Sequence, residues 1–303
     1  MAKPFVNPFV SGQFLELRVD ALVSDGRGLG RHDGVVVLVE DALPGQLVRA
    51  RVAAVRKSLA EAALVEVLER SPDEQEPPCP HAGRCGGCSW QSLAYDRQLA
   101  WKERIVHDAL ERVGKVACPP MLPILSSPSE WGYRNKMEFA FGVSGDGGKA
   151  LGLRERGSRN IVGVTGCLLQ TPLTMRVLEA VRMLSNGAFH DLDGRFLVVR
   201  EPNAGGCFVE LIVGAGGSLE AGERFAEALR AETPEVTGFA LSERLAPSDV
   251  AYGERALYAD GRLEERIGDV RLQMGHNAFF QVNTPAAELL YAEAARFAAL
   301  EEL

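Results

Sequence analysis

The sequence predicts a multi-domain chain, an all-β barrel followed by an α+β region. Three observations carry this: β-like runs crowd the first 70 residues, a cysteine-rich loop follows them, and strand and helix patterns alternate beyond residue 131. At 303 residues with 46% hydrophobic content the chain can bury substantial cores, and its length suits two or three domains. No run approaches the ~18 consecutive apolar residues of a membrane span. Nothing at the N-terminus resembles a signal peptide, and six Cys are too few for a disulfide framework, so a soluble cytoplasmic protein with reduced thiols is expected.

Residues 1–12, with Pro4, Pro8 and Gly12 and little pattern, read as a loose tail. From Phe14 the pattern is β: Phe14 to Leu22, Val35 to Val39, Leu47 to Val55 and Ala62 to Leu68, with turns at Asp25-Gly26 and Pro44-Gly45. These strands predict a small antiparallel barrel over 13–70. The glycine-rich turn Gly26-Arg27-Gly28-Leu29-Gly30-Arg31 is not a dinucleotide fingerprint, because a β run follows it and no helix N-terminus is there to receive a pyrophosphate. Ser71 to Pro78, with three Pro and three acidic residues, reads as a linker.

The loop Pro77 to Trp90 then places thiols at Cys79, Cys85 and Cys88 in a C-x5-C-x2-C run, with Gly86 and Gly87 letting the backbone wrap tightly. This spacing suits metal ligation. Three thiolates leave a tetrahedral site one ligand short, and the candidates for the fourth are Cys118, Cys167, Cys207 and His81. Cys167 follows a β-like run and precedes a helix start, whereas Cys207 lies inside a strand pattern where a thiol packs as a small hydrophobe. All-Cys ligation admits zinc or a 4Fe-4S cluster, and a Cys3His zinc site through His81 stays open.

Ser92 to Val113 reads as a helix with Leu99, Val106, Leu110 and Val113 on one face, Ser92 as cap and Gly114 beyond its end. Tyr133-Arg134-Asn135-Lys136 opens a strand on which Arg134 and Lys136 share one side and Tyr133 and Asn135 the other. Two cations beside an aromatic ring suit single-stranded RNA. Arg154, Arg156 and Arg159 extend the basic face. Thr171-Pro172 starts a helix whose buried stripe is Leu173, Val177, Val181 and Leu184, ended by Gly187. Strands follow at Arg195 to Arg200 and Phe208 to Val213, a helix near Ala221 to Ala231, and strands near Val236 to Leu241 and Leu263 to Met274. A last helix runs from Pro285 to Leu300 with Leu290, Ala294 and Phe297 on one side.

Taken together, the three clustered Cys with the following Ser-Trp-Gln-Ser-Leu-Ala-Tyr, the Tyr-Arg-Asn-Lys at 133 to 136 and Phe-Phe-Gln-Val-Asn at 279 to 283 resemble the RNA 5-methyluridine methyltransferases. More narrowly, they resemble the iron-sulfur branch that modifies 23S ribosomal RNA. The likeness spans nearly the whole chain in order. It implies an N-terminal OB-like TRAM barrel over 13–70 that touches RNA; OB-like folds bind nucleic acid through a strand face and loops, for which Arg27, Arg31, Arg49 and Arg51 are the candidates, and nine basic against nine acidic residues in 1–70 make it an auxiliary binder. It implies a central α+β iron-sulfur domain over 71–91 and 115–275 that binds RNA through Tyr133, Arg134 and Lys136. Residues 92–114 and 276–303 correspond to the start of a Rossmann-like S-adenosylmethionine methyltransferase domain.

In that family the three close Cys and one distant Cys hold a 4Fe-4S cluster, and Cys167 matches the distant one. Gln281 matches a residue that contacts S-adenosylmethionine, and Phe279 one that lies beside the cofactor and target base. The family's thiolate adds to carbon 6 of a flipped uridine and a base later removes the carbon-5 proton. Both residues correspond to positions past Leu303, so the chain is expected to be cut ahead of its catalytic motifs and inactive alone.

The resemblance favours 23S ribosomal RNA over transfer RNA as partner, and a monomer. The alternative is a non-catalytic RNA-binding module with a structural metal centre. Net charge of −8 excludes a globally basic RNA binder. Its distribution leaves room for a local one, because residues 84–160 hold 12 Lys and Arg against 8 Asp and Glu, while residues 201–303 hold 8 against 18.

Overall fold

The computed structural model describes residues 7–298, which form two compact units. One comprises residues up to Gly83 together with Cys88–Ser126; the other comprises Arg84–Gly87 and the chain from Ser127 onward. The first six and last five residues, including the first half of the expected tail and the end of the expected last helix, lie outside the described residues.

The first unit is built on five strands: β1 (Phe14–Leu22), β2 (Gly28–His32), β3 (Val35–Glu40), β4 (Leu47–Val55) and β5 (Leu59–Glu69). They close into a barrel in the order β1-β2-β3-β5-β4. Alternation places Leu15, Leu17 and Val19 of β1 inside, against Val37, Val39, Val48, Ala50 and Ala62. Every neighbouring pair is antiparallel except β3 with β5, which run parallel in the register Val37↔Ala60. The expected all-antiparallel barrel is corrected in that one pair.

Strand β2 falls where the sequence reads as a glycine turn. A Cβ on Gly28 would meet the Ala42 carbonyl oxygen at 2.7 Å, and one on Gly30 the Arg18 carbonyl oxygen at 2.3 Å. These glycines serve the close approach of neighbouring strands instead of a turn. The tail expectation also changes for the described part: Phe9 is 5% exposed in the barrel core, and Gly12 N donates to Val52 O at 2.8 Å.

Residues 71–78 are tied down, unlike a free linker. The Glu74 carboxylate accepts from Gln46 Nε2 at 2.8 Å and Arg70 Nε at 3.0 Å, and Glu74 bridges to Leu93. Leu93 is buried with Leu22 and Leu43, and Trp90, Trp101 and Ile105 pack around them. Helix α1 (Tyr95–Asp108) therefore docks through Trp101 and Ile105, while Val106 of the expected stripe is exposed and Val113, in the π-helical turn Ala109–Val113, is 81% exposed. Ser92 does not cap it; Ala94 holds the cap position, and Gln98 Nε2 donates to the carbonyls of Trp90 and Leu93.

The second unit centres on a seven-stranded sheet formed by β6 (Lys136–Val143), β7 (Lys149–Arg154), β8 (Ile161–Val162), β9 (Gly194–Arg200), β10 (Cys207–Val213), β11 (Val236–Glu243) and β12 (Arg255–Asp260), in the order β12-β11-β10-β9-β6-β7-β8. Only β10 and β11 are parallel, joined by helix α3 (Leu219–Glu232), as a parallel connection requires a crossover. Helix α2 (Pro172–Asn186) starts where expected: Thr171 Oγ1 accepts from Thr174 N at 3.3 Å, Pro172 opens the first turn and Gly187 follows the end. Val177 and Val181 of α2 pack with Phe225 and Leu229 of α3 over Phe139, Leu197, Leu211 and Phe239 on one sheet face.

Phe208 and Ala240 on the opposite face pack against Leu263 and Met274. These two residues belong to a hairpin of β13 (Leu263–Ile267) and β14 (Val270–Met274), a single run in the sequence expectation. The two-residue loop Gly268-Asp269 divides it, Gly268 adopting φ 53°. Helix α4 (Thr284–Phe297) begins at Asn283, whose Oδ1 accepts from Ala286 N at 3.1 Å. Only Thr284 and Ala287 of α4 are buried; Leu290 and Phe297 of the expected apolar side are exposed.

Candidate functional site

Strand β6 begins at Lys136, so Tyr133, Arg134 and Asn135 form a lead-in segment instead of alternating along the strand. Gly132 N and Arg134 N donate to the carbonyls of Leu168 and Leu169, Asn135 N donates to Val282 O at 2.9 Å, and Asn135 O accepts from Glu201 N at 2.8 Å. The segment is thus held against both the stretch after Cys167 and the Phe279 to Asn283 stretch. Two sequence motifs separated by some 145 residues meet here, and a cleft of about 200 Å³ opens among Arg134, Asn135, Asn203, Glu201, Asn283 and Thr284.

The side-chain amide of Asn135 reaches three acceptors: Thr284 Oγ1 at 2.8 Å, Gln281 O at 3.0 Å and Glu265 Oε2 at 3.2 Å. Glu265 is only 1% exposed. Burial pushes its carboxyl above the usual range, opposed by donation from Asn203 N at 2.8 Å, Arg266 N at 3.2 Å, Thr284 and Asn135. Beside it, burial pushes the Arg200 guanidinium down while the Glu210, Glu138 and Glu265 charges hold it up. Arg200 Nη2 donates to Ala278 O at 2.6 Å. The carbonyls of Ala278, Gln281 and Val282 are therefore all fixed from behind, and the Phe279 ring, 83% exposed, stands out from this fixed backbone.

Of the expected RNA-facing cations, Arg134 turns its Nε onto Lys136 O at 2.9 Å, and Lys136 Nζ pairs with Glu138 at 2.5 Å. In the barrel, Arg27 is engaged by Asp25 at 2.7 Å, and that hydrogen bond pushes the guanidinium further up. Arg49 pairs with Glu16 and Glu66. Arg31 is exposed and forms no ion pair among the described residues. The residues that sequence reasoning missed are Asn135, Glu265, Asn203 and Thr284; a polar Asn ahead of a strand was their only signal.

The cysteine loop divides between the units. Ala82 N donates to Cys79 O at 3.0 Å in the first. In the second, Gly86 N donates to Arg154 O at 2.9 Å and Arg156 N to Arg84 O at 2.8 Å, bridging Cys85 to Glu155. Cys85 and Cys167 pack against the same core in that unit. Cys207 is buried inside β10, and burial pushes its thiol far above the usual range, which matches its reading as a packed hydrophobe. No disulfide joins any of the six Cys. Thiolate donors as a class suit zinc or a 4Fe-4S cluster. Among the described residues, however, no three His, Cys, Asp or Glu side chains come together closely enough to hold a metal ion.

Comparison with known proteins agrees with the barrel. Residues 8–65 match the TRAM domain. The chain is 45% identical over 304 residues to an uncharacterized RNA methyltransferase of Nitratidesulfovibrio vulgaris, covering 96% of this chain and 65% of that protein. It is 31% identical to an uncharacterized RNA methyltransferase of Caldanaerobacter subterraneus, covering 97% of this chain and 67% of the relative. Its fold is shared with the Pyrococcus abyssi tRNA (uracil-54, C5)-methyltransferase in complex with S-adenosyl-L-homocysteine, at a TM-score of 0.67 and 23% identity, over 92% of this chain and 64% of that one. The relatives at 45% and 31% identity define the class. The chain belongs to the RNA methyltransferase family. It spans about two thirds of the length of the relatives it matches. Among the described residues no helix is long and apolar enough to cross a membrane.

Proposed function

We propose that this chain supplies RNA recognition and part of the methyl-donor site of an enzyme that moves the methyl group of S-adenosylmethionine to carbon 5 of a uridine. The observation that carries this reading is the bonding of Asn135 to the backbone of Gln281 and Val282, which puts the Tyr133 to Lys136 segment beside the Phe279 to Asn283 segment within one unit. Gln281 and Phe279 are read as facing the cofactor and target base, and Tyr133, Arg134, Lys136 and Arg31 as holding RNA. An aromatic ring and cations next to a polar cleft suit an unstacked base and its phosphates. Carbon-5 chemistry also needs a thiolate for carbon 6 and a base for the carbon-5 proton; neither role is assigned to a residue of this chain.

We read ribosomal RNA, the 23S species, as the substrate, in the cytoplasm, on the resemblance of the cysteine motif and barrel. Cys79, Cys85, Cys88 and Cys167 would hold a 4Fe-4S cluster, with zinc as the alternative. Bound there, the cluster would cross-link the loop and keep the fold in place; methyl transfer itself requires no electron. The test is methyl incorporation by the intact protein into 23S ribosomal RNA and into transfer RNA, with S-adenosylmethionine labelled on the methyl group. Label at carbon 5 of a uridine in 23S RNA supports the reading. Label in transfer RNA alone overturns the choice of substrate, and salt-sensitive RNA binding without label in either favours a non-catalytic RNA-binding module.

A further inference from the structure

We propose that Asn135 is a positioning residue that sets the backbone frame from which Gln281 and Phe279 meet the methyl donor. The inference rests on the proposed methyl-donor role of that segment. It concerns a residue that touches neither cofactor nor RNA in the reading above.

Three features support it. First, Asn135 uses its main chain and its side chain on the same short stretch: the main-chain N–H donates to Val282 O, and the amide donates to Gln281 O and Thr284 Oγ1. Holding two successive carbonyls fixes the peptide plane between them. That fixes where the Gln281 side chain starts. Second, the amide is itself oriented by Glu265, a buried carboxylate whose other oxygen accepts from Asn203 N and Arg266 N. A carboxylate so held accepts from the Asn135 amide and cannot donate to it, so one of the two Nδ2–H groups points at Glu265 and the other is shared between Gln281 O and Thr284 Oγ1. Third, Arg200 grips the Ala278 carbonyl at the other end of the stretch. The helix that follows does not need Asn135 for its start, because Asn283 caps α4. Framing the segment and capping the helix are therefore separate tasks carried by separate residues. An exposed Phe279 and a half-buried Gln281 on a backbone held at both ends are preorganised, and preorganisation is read as affinity.

The test compares Asn135→Ala with the double change Asn135→Asp/Glu265→Gln in the intact protein. The double change reverses donor and acceptor, so the hydrogen bond between positions 135 and 265 survives while Gln281 O loses its donor. Asn135→Ala is expected to raise exchange of the main-chain N–H of residue 135, which donates to Val282 O and is exposed when the segment loosens, at least about tenfold, with exchange in the barrel unchanged as the internal reference, and to raise the KM for S-adenosylmethionine about tenfold with kcat within about twofold. The double change is expected to return the melting temperature to the wild-type value and to leave KM raised. Restoration of KM by the double change would show that the pair serves packing alone and overturn the proposal. So would unchanged exchange in Asn135→Ala. If the wild-type protein methylates no RNA, the methyltransferase reading falls by itself, and the exchange measurement still decides whether Asn135 holds the segment.

Discussion

The indole N–H of Trp90 donates to the carbonyl of Gly26 at 2.9 Å, tying the residue just past the cysteine loop to the first barrel turn. Gly26 has φ 94°, and a Cβ there would lie 3.3 Å from the Trp90 nitrogen, so the turn and the ring are fitted to one another. Trp90→Phe keeps most of the packing against Leu22, Leu43 and Leu93 and removes the bond. It should cost about 1 kcal/mol, against about 3–5 kcal/mol for Trp90→Ala. Urea unfolding of the two variants checks the ratio.

Two cysteine substitutions should separate ligand from filler. Cys207→Ser places a hydroxyl in the fully buried interior of β10 and should cost about 1–3 kcal/mol without changing the metal content of the purified protein. Cys167→Ser should abolish the iron or zinc that the proposed centre would bring. Iron and zinc analysis with thermal melting reads both. Retained metal in Cys167→Ser would remove Cys167 from the ligand set.

Acid should weaken the second unit through Asp260. Burial alone would raise that carboxyl, but hydrogen bonds from Arg230, Tyr258 and the Phe239 N–H prevail and lower it. Because it titrates lower folded than unfolded, its ionised form stabilises the fold at and above the unfolded value of about 4, and that contribution disappears as pH falls through the folded value. Asp260→Asn should flatten the acid side of the melting curve and cost about 1–2 kcal/mol at neutral pH. Melting from pH 7 down to pH 3 tests this.

RNA contacts are expected to differ between the barrel arginines. Arg31→Ala should lower the slope of log affinity against log salt by about one, as a single phosphate contact does. Arg27, committed to Asp25, should change it less on replacement by Ala. Equal slopes for both variants would count against Arg31 as the free phosphate partner.

What the sequence revealed divides by the range of the interactions. Helix α2 was readable from its Thr171 cap, Pro172 and Gly187, because each acts within a turn of its own position. Strand β2 was not, because Gly28 and Gly30 are explained only by the backbones of Ala42 and Arg18 that approach them in the closed barrel. Strict alternation from Tyr133 turned Asn135 away from the basic residues, yet the strand starts at Lys136, and the lead-in places Asn135 against partners 130 to 149 positions away. The Leu99, Val106, Leu110 and Val113 stripe met the same limit: helical spacing marks an apolar side, but Trp101 and Ile105 beside Leu93 decide which side docks.

The seating of β5 between β3 and β4, antiparallel to β4, bears on how a shorter fragment should be cut. The matched TRAM segment stops at residue 65, inside β5, whereas Leu47, Val48 and Arg49 pair with Glu69, Val67 and Glu66. A fragment trimmed at the family boundary would leave the start of β4 with bare amide and carbonyl groups, an adhesive border prone to recruit another chain. Extending it through Glu69 seals that seam.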